Sequence, residues 1–276
     1  MVTKAVHLEL VEDMTTAAFI GALKRFISRR GKVVNMYSDN GLNFRGADNE
    51  MQDLFQSPDL QHAAAEERLN WHFIPPRAPH FGGLWEAAVW LMKQHLTKTI
   101  EDASLTVVEI MTVLAQVEAI LNSRPLTPLS DDPLDLSALT PAHFLIGDSF
   151  TSYPEPDILD VPMNRLSRWQ HVERLKQHFW SRWSKEYLAV CQGRTKWKSE
   201  THSNLEVGQL VMLKEDESMP LKWVLARIDG VHHGSDGVIR ILTVRISKGI
   251  YKRPIVKICP LPVEEPEAQK NERAPH

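Results

Sequence analysis

Cysteine is scarce here: Cys191 and Cys259 are the two thiols in 276 residues, far apart and in no CxxC pair. That count supports neither a disulfide framework nor a zinc ribbon or knuckle, and suits two reduced cysteines of an intracellular protein. Long apolar runs are missing too. The longest, from Leu105 to Leu121, is broken by Glu109, Gln116 and Glu118, which rules it out as a membrane span. The opening MVTKAVHLEL has no apolar stretch of signal-peptide length. No internal repeat is visible. What is present, 43% hydrophobic and 24% charged residues, is the composition of an ordinary globular protein. The length suffices for two domains.

The net charge of −3 hides an asymmetry. Residues 1–164 hold 12 Lys/Arg against 22 Asp/Glu, whereas residues 165–257 hold 18 against 9. The last 19 residues return to an acidic excess, 4 against 2. A basic segment behind an acidic one predicts that the second half meets phosphate, although many basic faces are merely solvated.

The periodicities predict an α/β region followed by a mostly β region. In AVHLEL, Val6, Leu8 and Leu10 alternate with His7 and Glu9, the pattern of a half-buried strand. A helix follows from Thr15 or Thr16, with Phe19, Leu23, Phe26 and Ile27 at helical spacing and Arg29-Arg30-Gly31 as its end. Val33 to Tyr37 reads as a strand stopped by Ser38-Asp39-Asn40-Gly41. Helical character is expected at Asn49–Phe55 and His62–Arg68, a strand at Trp71–Ile74, and a mobile RAPHFGG loop over Arg77–Gly83. Helices should then run from Leu84 to about Ile100 and from Thr106, in capping-box spacing with Glu109, to Asn122. Residues 125–164, rich in Pro, Asp and Ser, read as a connector. A long helix from Leu166 to about Gln192 carries Trp169, Val172, Phe179, Trp183 and Tyr187 on roughly one side. Strand-like runs at 208–214, 222–231, 237–246 and 250–258 suggest a small antiparallel barrel, and the Glu/Pro/Lys-rich tail after Pro262 should be disordered.

Two acids stand where chemistry is done in α/β proteins. Asp39 ends a strand beside a turn, and Glu86 opens a helix after a flexible loop. Brought together, such carboxylates offer the hard oxygen ligands that Mg²⁺ prefers. Taken alone, each also fits a plainer role, as a turn residue and as a helix-start acid.

Context narrows that choice. AVHLEL, the RFISRRG helix end, YSDNGLNFRGA, WHFIPPRAPHFGGLWEAAVWLMK, LNSRPLTPLS and LTPAHFLIG resemble, in order, the integrase core of Bel–Pao-type LTR retrotransposons. RLSRWQHVERLKQHFWSRWSKEYL and the segment through VKICPLP resemble the domain of unknown function that commonly follows that core. The resemblance spans Thr3 to Pro262. It implies a ribonuclease-H-like core, a mixed sheet flanked by helices, then a helix and a small SH3-like antiparallel barrel. It also implies a Mg²⁺ (or Mn²⁺) triad of which Asp39 supplies the second acid and Glu86 the third. Lys93, seven residues after Glu86 and so on the same helical face, would grip a DNA phosphate, and Arg77 and His80 would contact DNA from the loop.

On this resemblance residues 1–124 would be a catalytic core, 125–164 a connector, 165–262 the nucleic-acid-binding unit and 263–276 a tail. The chain starts at the family's third strand. An intact parent would carry the first Asp upstream, and the chain as written is expected to be inactive, with residues 1–100 poorly stable when alone. The parent would be a DNA strand transferase acting on element ends and target DNA, oligomeric and nuclear, with no membrane role. Backbone phosphates would meet some of Lys214, Lys222, Arg227, Arg240, Arg245, Lys252, Arg253 and Lys257. The alternative is a non-catalytic remnant that binds nucleic acid or protein.

Overall fold

The first helix forms where its signals stand. In the computed structural model helix α1 spans Thr16–Arg30; Thr15 caps it by accepting the Ala18 N–H, and Gly31 ends it at φ 88°. Asp13 Oδ1 in turn accepts both the N–H and the hydroxyl of Thr15. The structure describes residues 3–56, 69–73, 93–100, 104–130, 132–198, 205–215, 219–235 and 239–262. The expected helix at 62–68, the 77–83 loop with Arg77 and His80, the helix start with Glu86, and the tail after 262 lie outside the described residues.

The fold is mixed α/β and divides into two compact units, residues 8–114 and a second made of 1–7 with 115–276. In the first, strand β1 (Asn35–Ser38) leads directly into helix α2 (Leu42–Gln56), which begins seven residues earlier than the expected Asn49. Strand β2 (Asn70–Phe73) pairs with β1 in parallel, Asn35 opposite Asn70 and Ser38 opposite Phe73. Phe19, Phe44, Trp71 and Phe73 form an aromatic layer on one side of this pair. Helices α1 and α2 approach closely at Gly46, where a Cβ would run into the Thr16 hydroxyl. Residues 93–100 are helical. Helix α3 (Val107–Asn122) starts with the expected reciprocal box: Thr106 N–H donates to Glu109 Oε2 at 2.7 Å, and Glu109 N–H to Thr106 Oγ1 at 3.3 Å.

AVHLEL is not a strand. Residues 4–11 have no ladder among the described residues. An alternating pattern becomes a strand only where a neighbour supplies its hydrogen bonds. A side chain does that work here at one position. Asn122, fully buried at the end of α3, accepts the Val6 N–H at 2.8 Å and donates to the Val6 carbonyl at 2.7 Å. Arg124 adds donation to the Lys4 and Leu121 carbonyls. His7 and Glu9 are therefore not a surface pair. His7 meets Glu118 at 3.0 Å, while Glu9 takes Arg25 and Arg29 of α1.

The second unit is built on helix α5 (Arg168–Lys198) and a five-stranded antiparallel sheet. Before them come a short ladder, β3 (Thr127–Pro128) with β4 (Ala138–Leu139), and the one-turn helix α4 (His143–Ile146). The sheet strands are β5 (Leu210–Leu213), β6 (Leu225–His233), β7 (Ile239–Ile246), β8 (Gly249–Pro254) and β9 (Ile258–Pro260), in the order β8-β7-β6-β5-β9. The predicted single strand 250–258 is divided by a 3-10 turn at Ile255–Lys257, after Pro254. That break lets β9 return to pair with β5, Met212 opposite Cys259. Val211, Leu213, Ile228, Leu242, Val244 and Ile258 fill one side of the sheet. On its other side Leu210, Met212, Cys259 and Leu261 pack with Leu188 and Cys191 of α5. Burial, with Cys191 near, pushes the Cys259 thiol up to about 12. Trp180, Trp183 and Tyr187 of α5 pack around Trp223, edge-on at 4.9–5.8 Å. Trp169, expected on that same side, is exposed in the first turn.

Candidate functional site

Asp39 follows β1 immediately and is exposed. Its Oδ1 accepts the Gly41 N–H at 2.8 Å, folding the Asp-Asn-Gly turn back on itself. The strand end beneath it is fixed by Ser38, whose hydroxyl accepts from Trp71 Nε1 and donates to the Asp39 carbonyl. Arg45 donates to Asn40 Oδ1 at 2.6 Å and lies over the Phe73 ring, setting a positive charge at the same end. Because β1 and β2 run parallel with Ser38 opposite Phe73, the chain leaves β2 at the end where Asp39 stands. Ile74 and the segment leading to Glu86 continue from that point in sequence. An exposed carboxylate at a parallel strand end suits one oxygen ligand of a divalent ion. Among the described residues no group of three His, Cys, Asp or Glu is assembled for a metal. Lys93 is exposed on the helical stretch 93–100.

The basic residues expected to meet phosphate separate into three sets. Arg245 and Lys252 lie on the same outward face of β7 and β8, since Thr243 faces Lys252 and Arg245 faces Ile250 across the ladder. His232 joins them from β6 through its 2.7 Å contact with Thr243. Exposed Ile241 and Ile250 lie on the same face. Arg245 is partly neutralised by Asp229 at 2.6 Å. Lys222 and Arg240 are exposed, and Arg253, on the opposite face of β8, lies over Tyr251 and 3.8 Å from Glu215. Lys214 and Lys257 are half-buried and joined through their backbones.

Arg227 belongs to none of these three sets. It is 7% exposed, and its guanidinium donates to the carbonyls of Ser130, Asp135 and Gly208 at 2.8–2.9 Å. It holds the 125–164 segment to the sheet and presents nothing to a phosphate. Sequence reasoning also passed over helix α5, whose solvent side is basic from His171 to Lys185. The 3- and 4-residue spacing of those side chains was the available signal.

Residues 167–261, from the residue before α5 to the residue after β9, match a family of unknown function (DUF5641). No curated protein matches the chain. Among solved structures the chain is similar to one in the cryo-EM structure of the simian T-cell lymphotropic virus intasome in complex with PP2A regulatory subunit B56 gamma. The TM-score is 0.32 and the identity 13%; the likeness covers 91% of this chain and spans 66% of the length of that one. Among the described residues, no helix is long and apolar enough to cross a membrane.

Proposed function

We propose that this chain is the trailing region of a Bel–Pao-type integrase, a DNA strand transferase in its intact parent, with a nucleic-acid-binding unit behind the catalytic core. The observation that carries the reading is the position of Asp39. It stands at the end of a strand whose in-register parallel neighbour leads, at the same end, into the segment that carries Glu86. The ordered motifs from AVHLEL to VKICPLP support it, and so does a match to a family of unknown function in the place where the resemblance implies such a domain.

In the parent, Asp39 and Glu86 would hold Mg²⁺ or Mn²⁺, which supplies charge neutralisation for an in-line phosphoryl displacement. Asp39, exposed and already fixed through Oδ1, orients one oxygen ligand without further ordering. Arg45, anchored on Asn40, sets a positive charge at that end. Lys93 would hold a phosphate of the DNA strand. The core would thus be ribonuclease-H-like and the five-stranded unit SH3-like, acting in the nucleus as part of an oligomer.

Asp39→Asn keeps the Gly41 hydrogen bond and removes the charge. It should abolish metal-dependent nicking of duplex DNA by the parent while leaving DNA retention within twofold of the unsubstituted protein, about 0.4 kcal/mol. Undiminished nicking by Asp39→Asn would sink the metal assignment. A second reading, a non-catalytic nucleic-acid-binding remnant, is favoured by Arg245, Lys252 and His232 sharing one face of the five-stranded sheet. It requires binding with no metal dependence at all.

A further inference from the structure

Helix α5 carries a charged stripe on the side turned away from the sheet. His171, Arg174, His178, Arg182 and Lys185 follow one another at spacings of three and four residues. At 100° per residue they fall within an arc of about 80° and extend for about 21 Å along the helix. Arg182 and Lys185 are exposed, and the other three are half-buried. The opposite side of the helix, with Val172, Leu175, Phe179, Trp180 and Trp183, is buried. The helix's acids stand outside the stripe: Glu173 is buried, and half-buried Glu186 borders it.

Like charges three or four residues apart repel, so such a row is unfavourable unless an anion meets it. His178 is not one of the cations: Arg174 Nε donates to its Nε2 at 3.4 Å. Burial and then the charges of Arg174 and Arg182 hold its imidazole below the ordinary histidine value. Arg174 is fixed in place by donating to the Val161 carbonyl at 2.8 Å. Among the described residues Arg182 and Lys185 make neither a hydrogen bond nor an ion pair. Cations ranged along one side of a rigid helix complement a polyanion.

We propose that the α5 stripe, chiefly Arg174, Arg182 and Lys185, is a second contact surface for the sugar-phosphate backbone of nucleic acid, separate from the outer sheet face of Arg245 and Lys252. The proposal rests on the reading of this unit as a nucleic-acid binder and adds a surface that the reading does not contain.

The test is fluorescence anisotropy of the full chain on a short DNA duplex of arbitrary sequence across a salt series. Each lost phosphate contact lowers the slope of log affinity against log salt by about 0.9. Arg182→Gln with Lys185→Gln should lower it by about 2 with an unchanged thermal midpoint. Arg182→Lys, which keeps the charge, should keep the slope. A doubly substituted chain with the original slope overturns the stripe. Lys252→Gln separates the two surfaces. A slope lost there but kept in the α5 variant sinks the stripe and spares the sheet face, whereas the reverse sinks the sheet face and establishes the stripe. A chain that binds phosphatidylserine vesicles and not DNA overturns both.

Discussion

Among the described residues the two units hide apolar surface differently. In residues 8–114 the buried apolar side chains, among the described residues, are Leu23, Ala47 and Val113. The visible sheet there is two strands of four residues, with Tyr37 57% exposed on its open face. The unit of 115–276 has a five-stranded sheet filled on one side and covered by α5 at β5 and β9 on the other. Helices can be specified by local signals alone, as Thr15, Gly31 and the Thr106–Glu109 box demonstrate. A sheet needs neighbours on its edges and faces, so it depends on residues distant in sequence.

The sharpest way to break this contrast is to attack the unit of 115–276 at one of its buried cations, Arg227. Arg227→Ala leaves the carbonyls of Ser130, Asp135 and Gly208 without their donor. Burying unsatisfied carbonyls and opening a cavity together should cost about 3–5 kcal/mol. A denaturant midpoint followed by tryptophan fluorescence reads it, because Trp180, Trp183 and Trp223 all lie in this unit. Arg227→Lys should recover little, since one ammonium cannot span three acceptors arranged for a fork. An Arg227→Ala chain with an unshifted midpoint would mean that the 125–164 segment is held by something else.

Much of this was legible from the sequence, and the misses share a cause. Local signals placed α1, α3 and the two strands β1 and β2 within a few residues. AVHLEL misled because its alternation describes one face and says nothing about whether a partner strand is there. Asn122, 116 residues away from Val6, replaces that partner. The connector read as loose because its anchor, Arg227, sits in a strand and looked like a surface cation. The 250–258 run hid a break because the need for β9 to reach β5 is a property of the sheet. At the candidate sites, Asp39 stands at the strand end as expected, whereas the α5 stripe was missed while its apolar side, Trp169 apart, was read correctly. Once Val172, Phe179 and Trp183 were assigned inward, the residues three and four apart on the other side were fixed outward.

The unit of 8–114 can be tested where its helices touch. Helix interiors prefer alanine to glycine by roughly 1 kcal/mol, so Gly46→Ala would stabilise α2 in isolation. Here the added Cβ meets the Thr16 hydroxyl, and a β-branched side chain in a helix has few rotamers to move to. The net expectation is a loss of about 1–3 kcal/mol. The combination Thr16→Ala with Gly46→Ala should reverse the sign and unfold no earlier than Thr16→Ala alone. If Gly46→Ala by itself is stabilising, α1 and α2 do not approach as closely as described.

The smallest effect, and the one most specific to the unit of 115–276, lies in a buried carboxylate. Glu173 is 4% exposed and within 2.7 Å of Lys176, which also meets Glu155 at 2.7 Å. Burial first, then its hydrogen bond with Glu155, pushes the Glu173 carboxyl up to about 7 from an ordinary 4.5, against the pull of Lys176. The folded value lies above the unfolded one, so the stabilisation from protonated Glu173 is complete below about pH 4.5 and is lost as pH rises through about 7. Glu155 is held low, chiefly by the hydrogen bond from Glu173, so its contribution has the opposite sense and fades as pH falls below its ordinary value. Between about pH 5 and 8 the Glu173 effect should dominate and cost the unit about 1–2 kcal/mol. Glu173→Gln keeps an acceptor for Lys176 and a donor for Glu155 but cannot ionise, so its denaturant midpoint should be flat over that range. A wild-type midpoint that rises with pH, or a Gln variant that still falls, would show that the proton between Glu155 and Glu173 does not control the attachment of this segment to α5.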